Sequence, residues 1–130
     1  MILIDTHCHL DASEFDADRD MVANQAKDAG VGMMVIPAVE PNNFQKVIAL
    51  SAQHPACCYA LGMHPMYIDN ASPGDVKRLH ALIKQELCNK SKLVAVGEIG
   101  LDFFVTQQNR ETQEYFFAEQ LKLAKEFNLP

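Results

Sequence analysis

The sequence lacks the features that mark several common classes of protein. Its four cysteines include no Cys-x-x-Cys spacing, so neither a zinc ribbon nor a disulfide framework is predicted. Lysine and arginine form no cluster and the net charge is -6, so nothing indicates a large nucleic-acid-binding patch. No apolar stretch approaches the length of a membrane span, and we expect no membrane partner. There remains a chain of 130 residues, 48% of them hydrophobic, which is enough for one small domain with a core.

The N-terminus and the cysteines together predict a cytoplasmic protein. The chain begins with a strand-like apolar run, without the positive charge and long apolar core of a signal peptide. We therefore interpret the cysteines as reduced thiols in a reducing compartment. Cys8 alternates with two histidines along a strand, so we expect its side chain to face the core.

Apolar runs alternate with segments of helical periodicity along the chain, at a repeat of about thirty residues. Strands are predicted at residues 1–4, 31–37, 57–61 and 92–97, each followed by a helix, the last from about 109 to 127. The first strand is expected to be buried. The inner face of the last helix is expected to consist of Phe116, Phe117, Leu121, Ala124 and Phe127. Strands that alternate with helices predict a parallel sheet with right-handed crossovers.

Two α/β architectures fit four strand–helix units. An open doubly wound sheet that binds a dinucleotide would carry a glycine-rich turn after its first strand, where this chain has His7 and His9. A (β/α)8 TIM barrel gathers its functional groups at the carboxyl ends of the strands. The barrel is favoured by the polar residues that follow the predicted strands, which are His7, His9, Glu40, His64, Glu98 and Asp102.

The barrel prediction makes this chain half of a ring. A complete barrel needs about 250 residues, and four parallel strands leave two open edges. We therefore expect residues 1–130 to be the N-terminal half of a longer protein and to supply its first four βα units. A half-barrel that folds alone is expected to self-associate and so cover its apolar face.

Two histidines and a distant glutamate are the candidates for a metal site. His7 and His9 lie two residues apart at the end of a strand, so their imidazoles point the same way. Glu98 follows an apolar strand and lies between Gly97 and Gly100, small residues that let the backbone approach a ligand. Because a carboxylate can bridge two cations, the three side chains indicate a one- or two-metal hydrolase centre with Glu98 as its catalytic residue. The alternative for His7 and His9 is two polar residues that leave a strand, and the alternative for Glu98 is a surface acid or a partner of a helix dipole.

Three other polar residues are further candidates, and two of them have two interpretations. His64, in a loop before Pro65, either contacts a substrate phosphate or is an ordinary loop histidine. Asp102 either orients a metal ligand or caps the following turn. Asp5 shares the side of the strand that carries His7, and we expect it to orient a ligand.

Three short motifs resemble the successive signatures of the TatD family of metal-dependent deoxyribonucleases. They are Asp-Thr-His-Cys-His-Leu at residues 5–10, Gly-Met-His-Pro at 62–65 and Gly-Glu-Ile-Gly-Leu-Asp at 97–102. The resemblance implies an amidohydrolase-like (β/α)8 barrel in which His7 and His9 bind a first divalent cation. It also implies that Glu98 bridges to a second cation and that His64 lies near the substrate phosphate. Family members often have Tyr-Tyr after the last motif, where this chain has Phe103 and Phe104.

The function implied by this resemblance is hydrolysis of DNA phosphodiester bonds by a metal-activated water. The expected cofactors are divalent cations (Zn, Mg or Mn), two per complete site. Mixed imidazole and carboxylate ligands suit Zn, Mn or Fe, whereas a nuclease often works with Mg. Two alternatives remain at this point. One is another hydrolase of the same superfamily, acting on an amide or ester, and the other is an inactive fragment with an incomplete metal site.

Overall fold

The structure, a computed structural model, describes residues 1–104 and 109–130. Strands and helices alternate in this part of the chain as the sequence predicts. The strands are β1 (Leu3–Asp5), β2 (Val31–Pro37), β3 (Cys57–Leu61) and β4 (Leu93–Val96). The helices are α1 (Arg19–Asp28), α2 (Phe44–Gln53), α3 (Pro73–Cys88) and α4 (Arg110–Phe127). Short 3-10 turns precede three of the helices, at Ser13–Phe15, Pro41–Asn43 and Pro65–Tyr67.

The strands form one parallel sheet in the order β1-β2-β3-β4. This order never reverses, whereas a doubly wound sheet changes direction at its switch point. Consecutive parallel neighbours are the arrangement of a barrel wall. The carboxyl ends of all four strands therefore lie along one rim, where the predicted functional residues follow.

The core lies between the sheet and the helices. Every residue of β3 is buried, as expected for a strand with a neighbour on each side and helices against one face. Ile36, Val47, Leu61, Leu79 and Ile83 are fully enclosed and join strands to helices. Burial raises the pKa of the Cys57 thiol to about 11 and also raises the pKa of Cys58. Both thiols therefore stay protonated and behave as apolar packing groups.

The prediction that the first strand is buried is wrong for this chain. Leu3 and Ile4 are 44% and 59% exposed, and Ile2 before them is 80% exposed. β1 pairs with β2 along one edge, and within the described residues its other edge has no partner strand. The apolar run has the composition of an inner strand, but in this chain it forms the border of the sheet.

The buried face of α4 differs from the prediction. Phe116 is buried, but Leu121 is 46% exposed. Two glutamines are buried in its place, because their amides bind loop backbone. Gln120 accepts a hydrogen bond from Met63 N (2.6 Å) and donates one to Met63 O (3.1 Å). Gln113 likewise accepts from Asp102 N (2.8 Å) and donates to Asp102 O (3.0 Å), so α4 fixes two of the loops that carry site residues.

No helix in the described ranges is both long enough and apolar enough to cross a membrane.

Candidate metal centre

The ends of β1 and β4 bring two imidazoles and one carboxylate together. The Nε2 atoms of His7 and His9 lie 3.3 Å apart. Glu98 Oε2 lies 3.3 Å from His7 Nε2 and 3.6 Å from His9 Nε2. The three atoms that could donate to a metal thus face one another from segments about ninety residues apart in sequence.

This triangle fits a divalent cation. Ligand atoms that bind zinc tetrahedrally at 2.0–2.1 Å are separated from one another by roughly 3.3–3.4 Å. The three separations here are 3.3, 3.3 and 3.6 Å. The side chains of His7 and His9 are half exposed and Glu98 is partly exposed, so an ion can enter from solvent. A donor set of two imidazoles and a carboxylate suits Zn, Mn or Fe.

His64 reaches the same site from the loop after β3. Its Nε2 lies 3.4 Å from Glu98 Oε1, whereas the contacts to His7 and His9 are made by Oε2. Its Nδ1 accepts a hydrogen bond from Met66 N at 3.1 Å. A neutral imidazole that accepts at Nδ1 carries its proton on Nε2. His64 therefore presents an N–H donor to the site.

The backbone around Glu98 is fixed by a close approach between two loops. A side chain at Gly62 would place its Cβ 2.6 Å from the carbonyl carbon of Gly97 and 2.9 Å from Glu98 N. At Gly97 an added Cβ would meet only Ala60 Cβ, at 3.7 Å, which is an ordinary contact. Glu98 N also donates to Ala38 O at 2.8 Å. The glycine that the geometry requires is thus Gly62, which was not among the site residues predicted from sequence.

Asp5 and Asp102 each accept a hydrogen bond from a nearby backbone N–H. Asp5 Oδ1 accepts a hydrogen bond from His7 N at 3.1 Å, so this carboxylate constrains the main chain of a candidate ligand. Asp102 Oδ1 accepts from Phe104 N at 3.0 Å, which is the turn cap that the sequence offered as one alternative. The predicted role of either residue in orienting a metal ligand stays a prediction.

Two residues near the site were missed by the site prediction. Asp11 is buried, its Oδ2 accepts from Asn43 Nδ2 at 3.0 Å, and its Oδ1 lies 3.9 Å from His9 Nδ1. Asn43 comes from the turn after β2 and so links a second loop to the first. The available signal was an acid two residues after His9, but only the fold shows that its side chain turns back toward the imidazole.

A groove of about 580 Å³ opens beside the candidate ligands. His9, His64 and Glu98 line it together with Lys46 and Tyr67. The groove therefore reaches two of the three candidate ligands, His9 and Glu98.

Comparison with known proteins identifies a family whose members match this chain over almost its full length. The family model described as TatD related DNase matches residues 4–130. Escherichia coli YjjV, named an uncharacterized metal-dependent hydrolase, is 40% identical over 98% of this chain and 48% of its own length. A protein of Erwinia tasmaniensis named 3'-5' ssDNA/RNA exonuclease TatD is 34% identical, over 98% of this chain and 48% of its own length. This chain therefore spans about half the length of the curated relatives it matches.

Solved structures agree with the fold. The crystal structure of E. coli YjjV superposes with a TM-score of 0.90, over 98% of this chain and 48% of that one. A TatD family hydrolase of Entamoeba histolytica, at 24% identity, superposes with a TM-score of 0.86 over all of this chain and 48% of its own, which supports the fold alone. The four strand–helix units are thus the first four βα units of a (β/α)8 TIM barrel. With its fold, its motifs and the match over residues 4–130 in agreement, the chain belongs to the family of TatD related DNases.

Proposed function

We propose that residues 1–130 form the N-terminal half of a metal-dependent hydrolase that cleaves phosphodiester bonds of nucleic acid, DNA in the first place. The observation that carries the proposal is the convergence of His7 Nε2, His9 Nε2 and Glu98 Oε2 at the rim of the sheet. Membership of the TatD family, with relatives named as deoxyribonucleases and exonucleases, supports the choice of substrate.

The three side chains would hold a divalent cation, which when bound supplies Lewis-acid activation of water and of the phosphoryl group. His7 and His9 would each bind the cation through Nε2 in its unprotonated form. Glu98 offers a charge, and its two oxygens face different neighbours, since Oε2 faces the histidine pair and Oε1 faces His64. This divergence supports the proposal that Glu98 bridges to a second cation.

His64 is placed to bind the substrate. His64 and Glu98 both line the groove, with His64 Nε2 3.4 Å from Glu98 Oε1, and a phosphate oxygen bound there would accept the Nε2 proton in a hydrogen bond. Lys46 adds a positive charge on the groove wall, but Glu14 and Glu40 line it as well. Because the net charge of the chain is -6, most of the attraction for a phosphate has to come from the bound cation.

The test compares the chain with its Glu98→Gln variant. Binding of Co²⁺ or Zn²⁺ to the 130-residue chain is measured by competition with a chelator. We expect the variant to bind about tenfold more weakly or worse, because a neutral amide oxygen replaces a charged ligand. Glu14→Gln removes an exposed acid of the same groove and is expected to leave the affinity unchanged.

Hydrolysis is measured on single-stranded DNA with Mg²⁺, Mn²⁺ or Zn²⁺. We expect little or none from the 130-residue chain alone, since three ligands leave a second cation without a cage. The same assay on the chain joined to the C-terminal half of E. coli YjjV is expected to show hydrolysis that Glu98→Gln abolishes. If DNA stays intact while an amide or ester in a substrate panel is cleaved, the protein is the alternative kind of hydrolase.

We also propose two properties that concern the molecule beyond its site. All four cysteines are free in the structure, which supports a reducing, cytoplasmic location. The apolar residues exposed on and before β1 support self-association of the 130-residue chain.

A further inference from the structure

Asp11 has a buried carboxylate directly behind His9. Its side chain is only 9% exposed. Asp11 Oδ2 accepts a hydrogen bond from Asn43 Nδ2 at 3.0 Å. Asp11 Oδ1 has no hydrogen-bond partner among the described residues, and it lies 3.9 Å from His9 Nδ1. A buried carboxylate oxygen without a hydrogen-bond donor destabilises the fold. A proton on His9 Nδ1 would supply the missing donor.

The orientation of the Asn43 side-chain amide is fixed by its other hydrogen bonds. Its Oδ1 accepts hydrogen bonds from Val39 N at 3.1 Å and from Glu40 N at 3.2 Å. Its amide nitrogen must therefore face Asp11, where it donates to Oδ2. The side chain of Asp11 is thus anchored at one oxygen, and the other oxygen is left to accept from the imidazole.

The two ring nitrogens of His9 then differ in protonation. Nε2 faces His7 and Glu98, and it can bind a cation only if it carries no proton. A neutral imidazole without a proton on Nε2 carries it on Nδ1, which is the nitrogen nearest Asp11. His64 is held in the opposite tautomer, because its Nδ1 accepts from Met66 N.

We propose that Asp11, held by Asn43, is a positioning residue that keeps the proton of His9 on Nδ1 and so keeps Nε2 available to a metal ion. The proposal rests on the metal centre proposed above and adds the device that prepares one of its ligands. Carboxylates that accept the second ring N–H of a ligating histidine fix both its tautomer and its orientation.

Asp11→Asn tests the proposal in the full 130-residue chain. The fixed amide of Asn43 would take the new side-chain oxygen, so the new amide nitrogen would face His9 Nδ1 and favour the proton on Nε2. We expect the affinity for Co²⁺ to fall by about 10–100-fold. In the metal-free protein, long-range ¹H–¹⁵N spectra of the imidazoles should show the His9 proton move from Nδ1 to Nε2, while His64 stays unchanged as an internal reference.

The double variant Asp11→Asn with Asn43→Asp reverses the exchange. A carboxylate at position 43 still accepts from Val39 N and Glu40 N, and its second oxygen accepts from the new amide at position 11. The amide oxygen at position 11 is then free to accept from His9 Nδ1. We expect the double variant to recover the Nδ1 tautomer and most of the Co²⁺ affinity, which a merely structural role of Asp11 would not predict.

The outcomes separate this proposal from the proposed function. If Asp11→Asn binds Co²⁺ with wild-type affinity, the proposal is overturned and the metal centre stands. The same holds if Asp11→Asn lowers the melting temperature but leaves the His9 tautomer unchanged. If Asp11→Asn does not fold, failure of the double variant to restore the Nδ1 tautomer overturns it. If the unsubstituted chain binds no Co²⁺ but the spectra show the expected tautomers, the metal centre fails and the positioning by Asp11 stands.

Discussion

At the scale of single residues, the geometry of the candidate site depends on the missing side chain at position 62 as much as on the candidate ligands. The backbone of the loop after β3 lies against the backbone that leads into Glu98, with room for a hydrogen atom but not for a methyl group. Backbone atoms cannot rotate away as a flexible side chain can. A side chain at this position would therefore separate Glu98 from His7 and His9.

Gly62→Ala is expected to weaken Co²⁺ binding about tenfold or more, because the added Cβ would come within 2.6 Å of the Gly97 carbonyl carbon. Gly97→Ala is the matched control, since its Cβ would make only an ordinary contact with Ala60. Chelator competition measures both variants. Equal affinities for the two would contradict the role given to the close approach.

The sequence predicts which residues converge at the candidate site better than it predicts which residues hold them in place. His7, His9, His64 and Glu98 are polar residues just after apolar strands, and parallel strands end at a common rim, so their meeting could be predicted. Asp11 could not be assigned in this way, because its role depends on a side chain of the next strand–helix unit. Nothing in a linear pattern tells which of several loop acids is buried.

At the scale of elements, the sequence indicates where one helix begins and misjudges the buried face of another. Ser72, Pro73 and Asp75 predict the start of α3, and the structure has the full capping box there. The face of α4 was misjudged because Gln113 and Gln120 count as solvent-facing in a polarity pattern. They are buried because each amide satisfies both the N–H and the C=O of one loop residue.

The capping box of α3 makes stability depend on pH. Hydrogen bonds from the backbone N–H and hydroxyl of Ser72 lower the pKa of Asp75, and Arg78 adds to the effect. A carboxylate whose pKa is lower in the folded state stabilises the fold at neutral pH, and this contribution is lost as the pH falls from about 4 through the folded-state pKa.

Ser72→Ala is expected to reduce the free energy of unfolding at pH 7 by about 1 kcal/mol. It should also make stability fall somewhat less between pH 5 and pH 3, because Asp75 loses the hydroxyl hydrogen bond, one of the interactions that lower its pKa. Urea unfolding at several pH values measures both effects. Ser72→Thr keeps the hydroxyl and serves as the control, and a wild-type pH profile in Ser72→Ala would contradict the assignment.

At the scale of the whole molecule, the first strand has the apolar sequence of a buried strand, but its side chains are exposed at the border of the sheet. Ile2 and Ile4 are more than half exposed at its β1 border. A border strand with unpaired backbone groups and apolar side chains is a site for association with another chain. The sequence predicted this strand but could not show its exposure, since burial depends on neighbours that lie outside the strand itself.

The 130-residue chain is expected to form dimers or larger species whose fraction rises with concentration, as measured by sedimentation velocity. Ile4→Glu should shift the distribution toward monomer, because it places a charge on the exposed border. Met21→Glu alters an equally exposed apolar residue on α1 and is expected to have no effect. A monomer at every concentration would refute the self-association proposed here.

The exposure of β1 has a consequence for the lifetime of the site. Two of the three candidate ligands follow a three-residue strand that has one neighbouring strand among the described residues, and such a strand frays at far lower cost than the enclosed β3. Each fraying event would carry His7 and His9 away from Glu98 while the rest of the domain stays folded. Ligation would oppose fraying, so ion occupancy and amide-exchange protection of β1 should rise and fall together.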